Sequence, residues 1–149
     1  MKIGVGCDHG GFNLKDSVLK AIKDSNVEYI DYGTNSLDSV DYPDYASLVA
    51  KAVLNKDVDM GVLICGTGIG ISIAANKYNG IRCAHVTDGF SAQMAREHNN
   101  ANIMALGGRI TSSDDAYAFT KIFIQTNFEG GRHQKRLDKI SNIETEQSK

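Results

Sequence analysis

Short apolar runs alternate with amphipathic segments along the whole chain, and this rhythm restricts the possible folds more than any single motif does. Lys2–Cys7, Val27–Tyr32, Met60–Cys65, Ile81–Val86 and Ile103–Leu106 are apolar runs of strand length bounded by turn residues. The segments between them have helical spacing. Leu14, Val18 and Ile22 recur on one face after Gly11, and Tyr45, Leu48, Val49, Ala52 and Val53 follow an i, i+3, i+4, i+7, i+8 stripe behind a start signal at Asp41 and Pro43. Ile69–Ala75, Asp88–Glu97 and Ser113–Thr126 supply further helices. Phe128-Glu129-Gly130-Gly131 then breaks the rhythm before a final amphipathic helix carrying Arg132, Arg136, Leu137 and Ile140, and Glu144–Lys149 reads as a frayed, flexible tail.

Apolar strands that lack polar/apolar alternation and are separated by helices imply a parallel sheet covered on both faces. The expected fold is a three-layer α/β/α Rossmann-like domain with a five-stranded parallel sheet and a C-terminal helical extension. With 149 residues, 42% of them hydrophobic and 23% charged, the chain has the size and balance of one domain spanning residues 1–149. A formal charge of -2 and a pI near 6.0 give no general attraction to nucleic acid or to a membrane surface, so an anionic ligand needs a local cluster. No run is long and apolar enough to cross a bilayer and the N-terminus has no signal-peptide character, so the expected location is cytoplasmic. Cys7, Cys65 and Cys83 are odd in number and lie in or at the ends of strands, which suits reduced thiols.

In a sheet of this class the carboxyl ends of the strands share one edge, and ligands bind in the crevice there. Asp8, His9, the Cys65–Gly70 loop, Thr87, Asp88 and Arg109 are thereby gathered into one neighbourhood. His98 and Asn99 fall between a helix and the next strand, so they belong to the opposite edge. A role for them at the same substrate requires a neighbouring subunit.

Chemistry is densest in Val62-Leu63-Ile64-Cys65-Gly66-Thr67-Gly68-Ile69-Gly70, where an apolar strand runs into a thiol and three glycines. The N–H groups of such a turn converge on one point, and a helix opening at Ile69 directs its positive end there too. That setting favours an anionic ligand and a thiolate on Cys65. Three better-known phosphate loops do not fit. A dinucleotide fingerprint puts its third glycine at His9 or Ile71, a P-loop finishes in Gly-Lys-Ser/Thr, and a low-molecular-weight phosphatase loop needs arginine where Ile71 stands. Glycines alone suit a ligand-free tight turn equally well; the thiol standing where the amides gather favours the functional reading.

Other candidates carry plainer readings beside the functional one. Asp8 and His9 suit a helix N-cap region, and His98 and Asn99 suit a polar helix C-terminus. Arg132, His133, Lys135, Arg136 and Lys139 suit a solvated helix face, although Arg132 and Arg136 are one turn apart and can reach one phosphate. Cys83 and His85 share one side of a strand and could join Cys7 or His9 around a metal, but core packing explains them without one and the expectation is no metal site.

Six ordered motifs carry a family resemblance. Gly6-Cys7-Asp8-His9-Gly10-Gly11, Asp41-Tyr42-Pro43-Asp44-Tyr45, Cys65-Gly66-Thr67-Gly68-Ile69-Gly70, Arg96-Glu97-His98-Asn99, Leu106-Gly107-Gly108-Arg109 and Gly131-Arg132-His133 with Arg136 resemble the sugar-phosphate isomerases that include type B ribose-5-phosphate and galactose-6-phosphate isomerases. The resemblance covers almost the whole length. It implies an aldose–ketose isomerase of the pentose phosphate network that interconverts ribose 5-phosphate and ribulose 5-phosphate, without metal or organic cofactor, as a homodimer or dimer of dimers with shared active sites.

By the same resemblance Cys65 is the base, the amides of Gly66, Thr67, Gly68, Ile69 and Gly70 hold the enediolate oxygen, and Thr67 exchanges protons with the substrate oxygens. His98 assists ring opening, Asp8 and Asn99 bind hydroxyls, and His9, Arg109, Arg132 and Arg136 surround the phosphate. Some family members use a glutamate further along the glycine loop; Ile69-Gly70-Ile71-Ser72-Ile73 offers no carboxylate, which leaves Cys65. The nearest rival is isomerisation of allose 6-phosphate or galactose 6-phosphate by the same steps. A rival of another class is a non-catalytic sugar-phosphate or nucleotide sensor, which would have no need of the thiol.

Overall fold

In the computed structural model, which describes residues Met1–Lys149, strands β1 (Lys2–Cys7), β2 (Glu28–Asp31), β3 (Met60–Cys65), β4 (Cys83–His85) and β5 (Ile103–Gly107) form one parallel sheet in the order β2-β1-β3-β5-β4. Helices α1 (Phe12–Asp24), α4 (Gly89–Glu97) and α5 (Ser113–Gln125) cover one face, and α2 (Tyr42–Leu54) and α3 (Ile69–Ala75) cover the other. The three central strands are buried on both sides. Val62 and Ile64 of β3 pack with Ile3, Val5, Met104 and Leu106, whereas Leu63 and Cys65 turn to the α2 and α3 face with Ile103 and Ala105. Burial of both faces is why these strands read as continuous apolar runs. The expected three-layer α/β/α arrangement is present.

Glycines set the closeness of one layer. A Cβ on Gly61 would lie 2.5 Å from Val49 Cγ1, and one on Gly6 would lie 2.9 Å from Val49 Cγ2, so α2 rests directly on the backbone of β1 and β3. The sheet order reverses direction between β1 and β3: the chain leaves β1 towards β2 on one side and returns to β3 on the other. The loops that follow β1 and β3 therefore part there, and the crevice between them is where this class of sheet takes a ligand. Asp8 stands at one side and Cys65 at the other.

Sequence and structure differ at the edges. The outer strands β2 and β4 are shorter than their apolar runs, because each pairs on one side only. Before β4, the Arg82 N–H donates to Asn102 Oδ1 instead of to a strand carbonyl. The frayed tail expected from Glu144 is the last part of α6 (Arg132–Gln147). The Gly80 N–H donates to the Glu144 carboxylate at 3.1 Å and Asn79 Nδ2 donates to Ser148 Oγ at 3.1 Å, so polar contacts tie this end to the β4 side of the sheet. No helix is long and apolar enough to cross a membrane.

Candidate active site

Strand β3 delivers Cys65 to the crevice, and two backbone bonds from the end of β5 pin the chain there: Gly108 N–H to Cys65 O at 2.7 Å and Arg109 N–H to Gly66 O at 3.0 Å. The loop then reverses at Gly68, whose φ of 81° lies in the left-handed region open to glycine. This turn directs the Gly68 N–H at Cys65 Sγ, 3.1 Å away, with Cys65 only 4% exposed. An N–H donated to sulfur stabilises negative charge on it. Thr67 is exposed at the loop tip, its Oγ1 accepting from the Ile69 N–H at 3.2 Å, and His85 Nε2 lies 2.9 Å from Thr67 O.

The β1 side of the crevice carries Asp8 and His9. Asp8 is 6% exposed, and its Oδ1 accepts the Gly11 N–H at 3.0 Å, so the capping reading accounts for one carboxylate oxygen. His9 Nδ1 accepts the Val40 N–H at 3.2 Å. A nitrogen that accepts has no proton, so the neutral ring carries its proton on Nε2 and can donate it to an anion. Arg109 joins from the β5 side, its guanidinium against Gly66 so closely that a Cβ there would lie 3.0 Å from Nη1. Asp88, which the sequence also sends to this edge, is spent on its own helix: Oδ1 accepts the Ser91 N–H at 2.6 Å in a capping box on α4, and the cap holds the carboxyl below its usual range.

At the opposite edge lies a second group. His98 caps the C-terminus of α4 and stacks on His133 of α6, with ring centroids 4.1 Å apart and planes 17° from parallel. His133 is buried, its Nε2 3.3 Å from Glu129 Oε2, and the Glu129 N–H donates to Glu97 O, which fastens the start of α6 to the end of α4. Asn99 is exposed, as are Arg132 and Arg136 on α6, and no ion pair includes Arg109, Arg132 or Arg136. The larger of the chain's two cavities, about 470 Å³, is at this edge and not beside Cys65; Arg82, Cys83, Asn99, Ile140 and Glu144 line it.

The candidate residues thus fall into two sets within one chain: Asp8, His9, Cys65–Gly70 and Arg109 at the carboxyl edge, and His98, Asn99, Arg132 and Arg136 at the other. Cys7 packs into the core of the α1 face while Cys83 packs on the α2 and α3 face, His85 faces Thr67 and His9 holds Val40, so that foursome does not converge. His98, Glu129 and His133 bring ligand atoms within 4.8 Å of one another, with the two imidazoles stacked at 4.1 Å. Sequence reasoning assigns no role to His133 as the stacking partner of His98, nor to His85 beside the loop. His133 stands out in the sequence only as a member of the basic run and of the Gly131-Arg132-His133 motif, and His85 only by the strand face it shares with Cys83.

Burial sorts the thiols. It pushes Cys7 up to about 11 and Cys83 up to about 12, so both keep their protons at neutral pH. Cys65 alone of the three has a backbone N–H donated to its sulfur.

Residues 3–140 match the family model described as Ribose/Galactose Isomerase. The chain is 48% identical over 143 residues to ribose-5-phosphate isomerase B of Escherichia coli, covering 96% of each. It superposes on the structure of Clostridium thermocellum ribose-5-phosphate isomerase B with a TM-score of 0.95, at 50% identity, covering 98% of this chain and 99% of that one. A third similar protein is ribose-5-phosphate isomerase B from Mycoplasma genitalium, solved with bound ribulose-5-phosphate: TM-score 0.91, 42% identity and 97% coverage of both chains.

Proposed function

The chain belongs to the ribose/galactose isomerase family and is an aldose–ketose isomerase, and from that premise we propose that it interconverts D-ribose 5-phosphate and D-ribulose 5-phosphate by cofactor-free proton transfer. The observation that carries the mechanism is the hydrogen bond from the Gly68 N–H to Cys65 Sγ inside a glycine turn at the carboxyl edge. The Cys65 thiolate takes the proton from C2 of the open-chain aldose, and the C1 carbonyl oxygen gains the negative charge. Amides of the Gly66–Gly70 loop stabilise this enediolate. The exposed Thr67 hydroxyl passes a proton from the C2 oxygen to the C1 oxygen, and Cys65 returns its proton to C1, giving the ketose. The protons move only among substrate, thiol, hydroxyl and the solvent with which the thiol exchanges before reprotonating C1, so acid–base groups suffice.

Ribose 5-phosphate is mostly a closed furanose, and His98 protonates the ring oxygen as its bond to C1 breaks, while the anomeric hydroxyl releases its proton to solvent and becomes the C1 carbonyl. His98, Asn99, Arg132 and Arg136 reach the substrate from a second copy of the chain, because one copy holds them at the edge away from Cys65. Asp8 and Asn99 bind hydroxyls; His9, Arg109, Arg132 and Arg136 enclose the phosphate. An apolar rim at the carboxyl edge supports a homodimer or dimer of dimers: Ile69 is 50%, Phe90 73% and Ile110 62% exposed, beside loops that need a partner. A cytoplasmic location belongs to the same reading.

The test is solvent exchange with a choice of substrates. Turnover of ribose 5-phosphate in heavy water should place deuterium at the carbon that is reprotonated, and kcat/KM should favour ribose 5-phosphate over allose and galactose 6-phosphates. A hexose phosphate turned over faster would overturn the pentose assignment, and full retention of label without exchange in prolonged turnover would overturn the thiol-to-solvent proton route.

A further inference from the structure

We propose that His85 is a positioning residue for Cys65, acting through the single peptide group between Thr67 and Gly68, a role that rests on Cys65 being the base named above. The two ends of that peptide face opposite ways. Its carbonyl oxygen lies 2.9 Å from His85 Nε2, and its N–H is donated to Cys65 Sγ at 3.1 Å. A carbonyl oxygen can only accept, so His85 Nε2 carries a hydrogen in this arrangement. A donor on the oxygen of an amide draws electron density from its nitrogen and makes the N–H a stronger donor, so the two bonds reinforce each other along His85, Thr67, Gly68 and Cys65.

The same peptide is the part of the loop most in need of an outside hold. Gly68 has φ 81° and ψ -11°, the third-position values of a type II turn, and a half-turn of the peptide plane before it gives the type I alternative. That rotation would aim the Thr67 carbonyl oxygen at the sulfur in place of the N–H, and a negative sulfur would then face an acceptor. His85 opposes the rotation in two ways. It holds the oxygen by a hydrogen bond, and its ring stands so near that a Cβ on Gly68 would lie 2.9 Å from His85 Cδ2. The ring is placed by the sheet and not by the loop, since His85 pairs with Ala105 in the β4 and β5 register.

Packing does not require a histidine here, because His85 is an exposed residue at the end of an edge strand. The position adds a hydrogen-bond donor. The charged groups at the loop from the other elements are Arg109 after β5, against Gly66, and Asp8 after β1; neither is bonded to His85, and substitutions at 85 leave both in place.

The experiment is alkylation of the native chain by iodoacetamide, followed at the Cys65 peptide by mass spectrometry from pH 6 to pH 9, for wild type, His85→Ala and His85→Gln. His85→Ala should alkylate roughly five-fold more slowly at neutral pH, with the rate profile moved up by about 0.7 pH unit, and kcat should fall by a similar factor with KM unchanged. His85→Gln, which offers an amide N–H in the same direction, should recover most of both losses. An alanine variant that alkylates at the wild-type rate overturns the proposal, as does glutamine behaving like alanine, which would mean the ring merely fills space. Because alkylation reads the thiol directly, these outcomes stand apart from failure of the base assignment, which would show as turnover surviving in Cys65→Ala.

Discussion

The two edges of the sheet are built by different means. At the carboxyl edge, backbone fixes position: carbonyls of Cys65 and Gly66 take N–H groups from Gly108 and Arg109, and a left-handed glycine turns one N–H onto a sulfur. At the opposite edge, long side chains fix position. Arg96 Nη1 donates to Ala101 O at 2.6 Å, Arg82 Nη2 donates to Asn100 O at 2.9 Å, and the His98 ring rests on His133. The first edge encloses a reactive group within one chain; the second presents Asn99, Arg132 and Arg136 to solvent with no carboxylate beside the arginines. Under the proposed shared site the thiol edge and the cationic edge would serve one substrate from two copies of the chain, and each edge predicts a different failure when it is damaged.

Removing the thiol should do the most harm. Cys65→Ala should lower kcat by about 10²–10⁴-fold, the usual worth of a positioned general base, and abolish deuterium exchange into either sugar phosphate. His98→Ala should lower turnover of ribose 5-phosphate by about 10²-fold yet spare exchange into ribulose 5-phosphate, which has no furanose ring to open. Mixing the two inactive proteins sharpens the contrast. In a hybrid of two copies one site receives both intact groups, so random exchange should restore about a quarter of wild-type activity, half of the dimers carrying half of their sites. No recovery, with subunit exchange verified by native mass spectrometry, would place both groups in one chain's site against the geometry.

Phosphate binding should join the edges at a smaller scale. Arg109→Gln on one side and Arg132→Gln or Arg136→Gln on the other should each raise KM about ten-fold, the range expected for one charge-assisted hydrogen bond, with kcat changed less. If the arginines share one phosphate, the effects of Arg109→Gln and Arg132→Gln should be non-additive in a double-mutant cycle. Strict additivity would separate the two edges into different subsites.

Much of this division was legible in the chain itself. Alternating periodicities placed five strands, Asp41 with Pro43 marked the entry to α2 at Tyr42, and the rule that helices return to the start of the next strand sent His98 and Asn99 to the far edge. What stayed hidden were contacts between elements that periodicity treats separately. The stack of His98 on His133 forms because the segment after α5 brings α6 back to the end of α4, and nothing local to either histidine specifies that meeting. His85 reaches Thr67 only because β5 lies between β3 and β4 in the sheet, a strand order that sequence spacing does not encode. The grip of Glu144 on Gly80 is of the same kind, which is why a polar C-terminal segment read as a tail.

The smallest effect separates exposure from chemistry at the two edges. Cys83, lining the cavity at the far edge, is more exposed than Cys65, so access alone predicts that it is alkylated first. Burial of its sulfur, however, raises its pKa to about 12, and only the thiolate attacks, so between pH 7 and 9 label should collect on Cys65. The same shift has a stability consequence whose sign is fixed. The unfolded chain releases the Cys83 proton near 9 while the folded chain retains it, so folding loses stability as pH rises from about 9 towards 12. Thermal melts should show Tm falling through that window by a few degrees more in wild type than in Cys83→Ala. Equal slopes, or early labelling of Cys83 at neutral pH, would mean that the far edge opens in solution and that its thiol is not held protonated by burial.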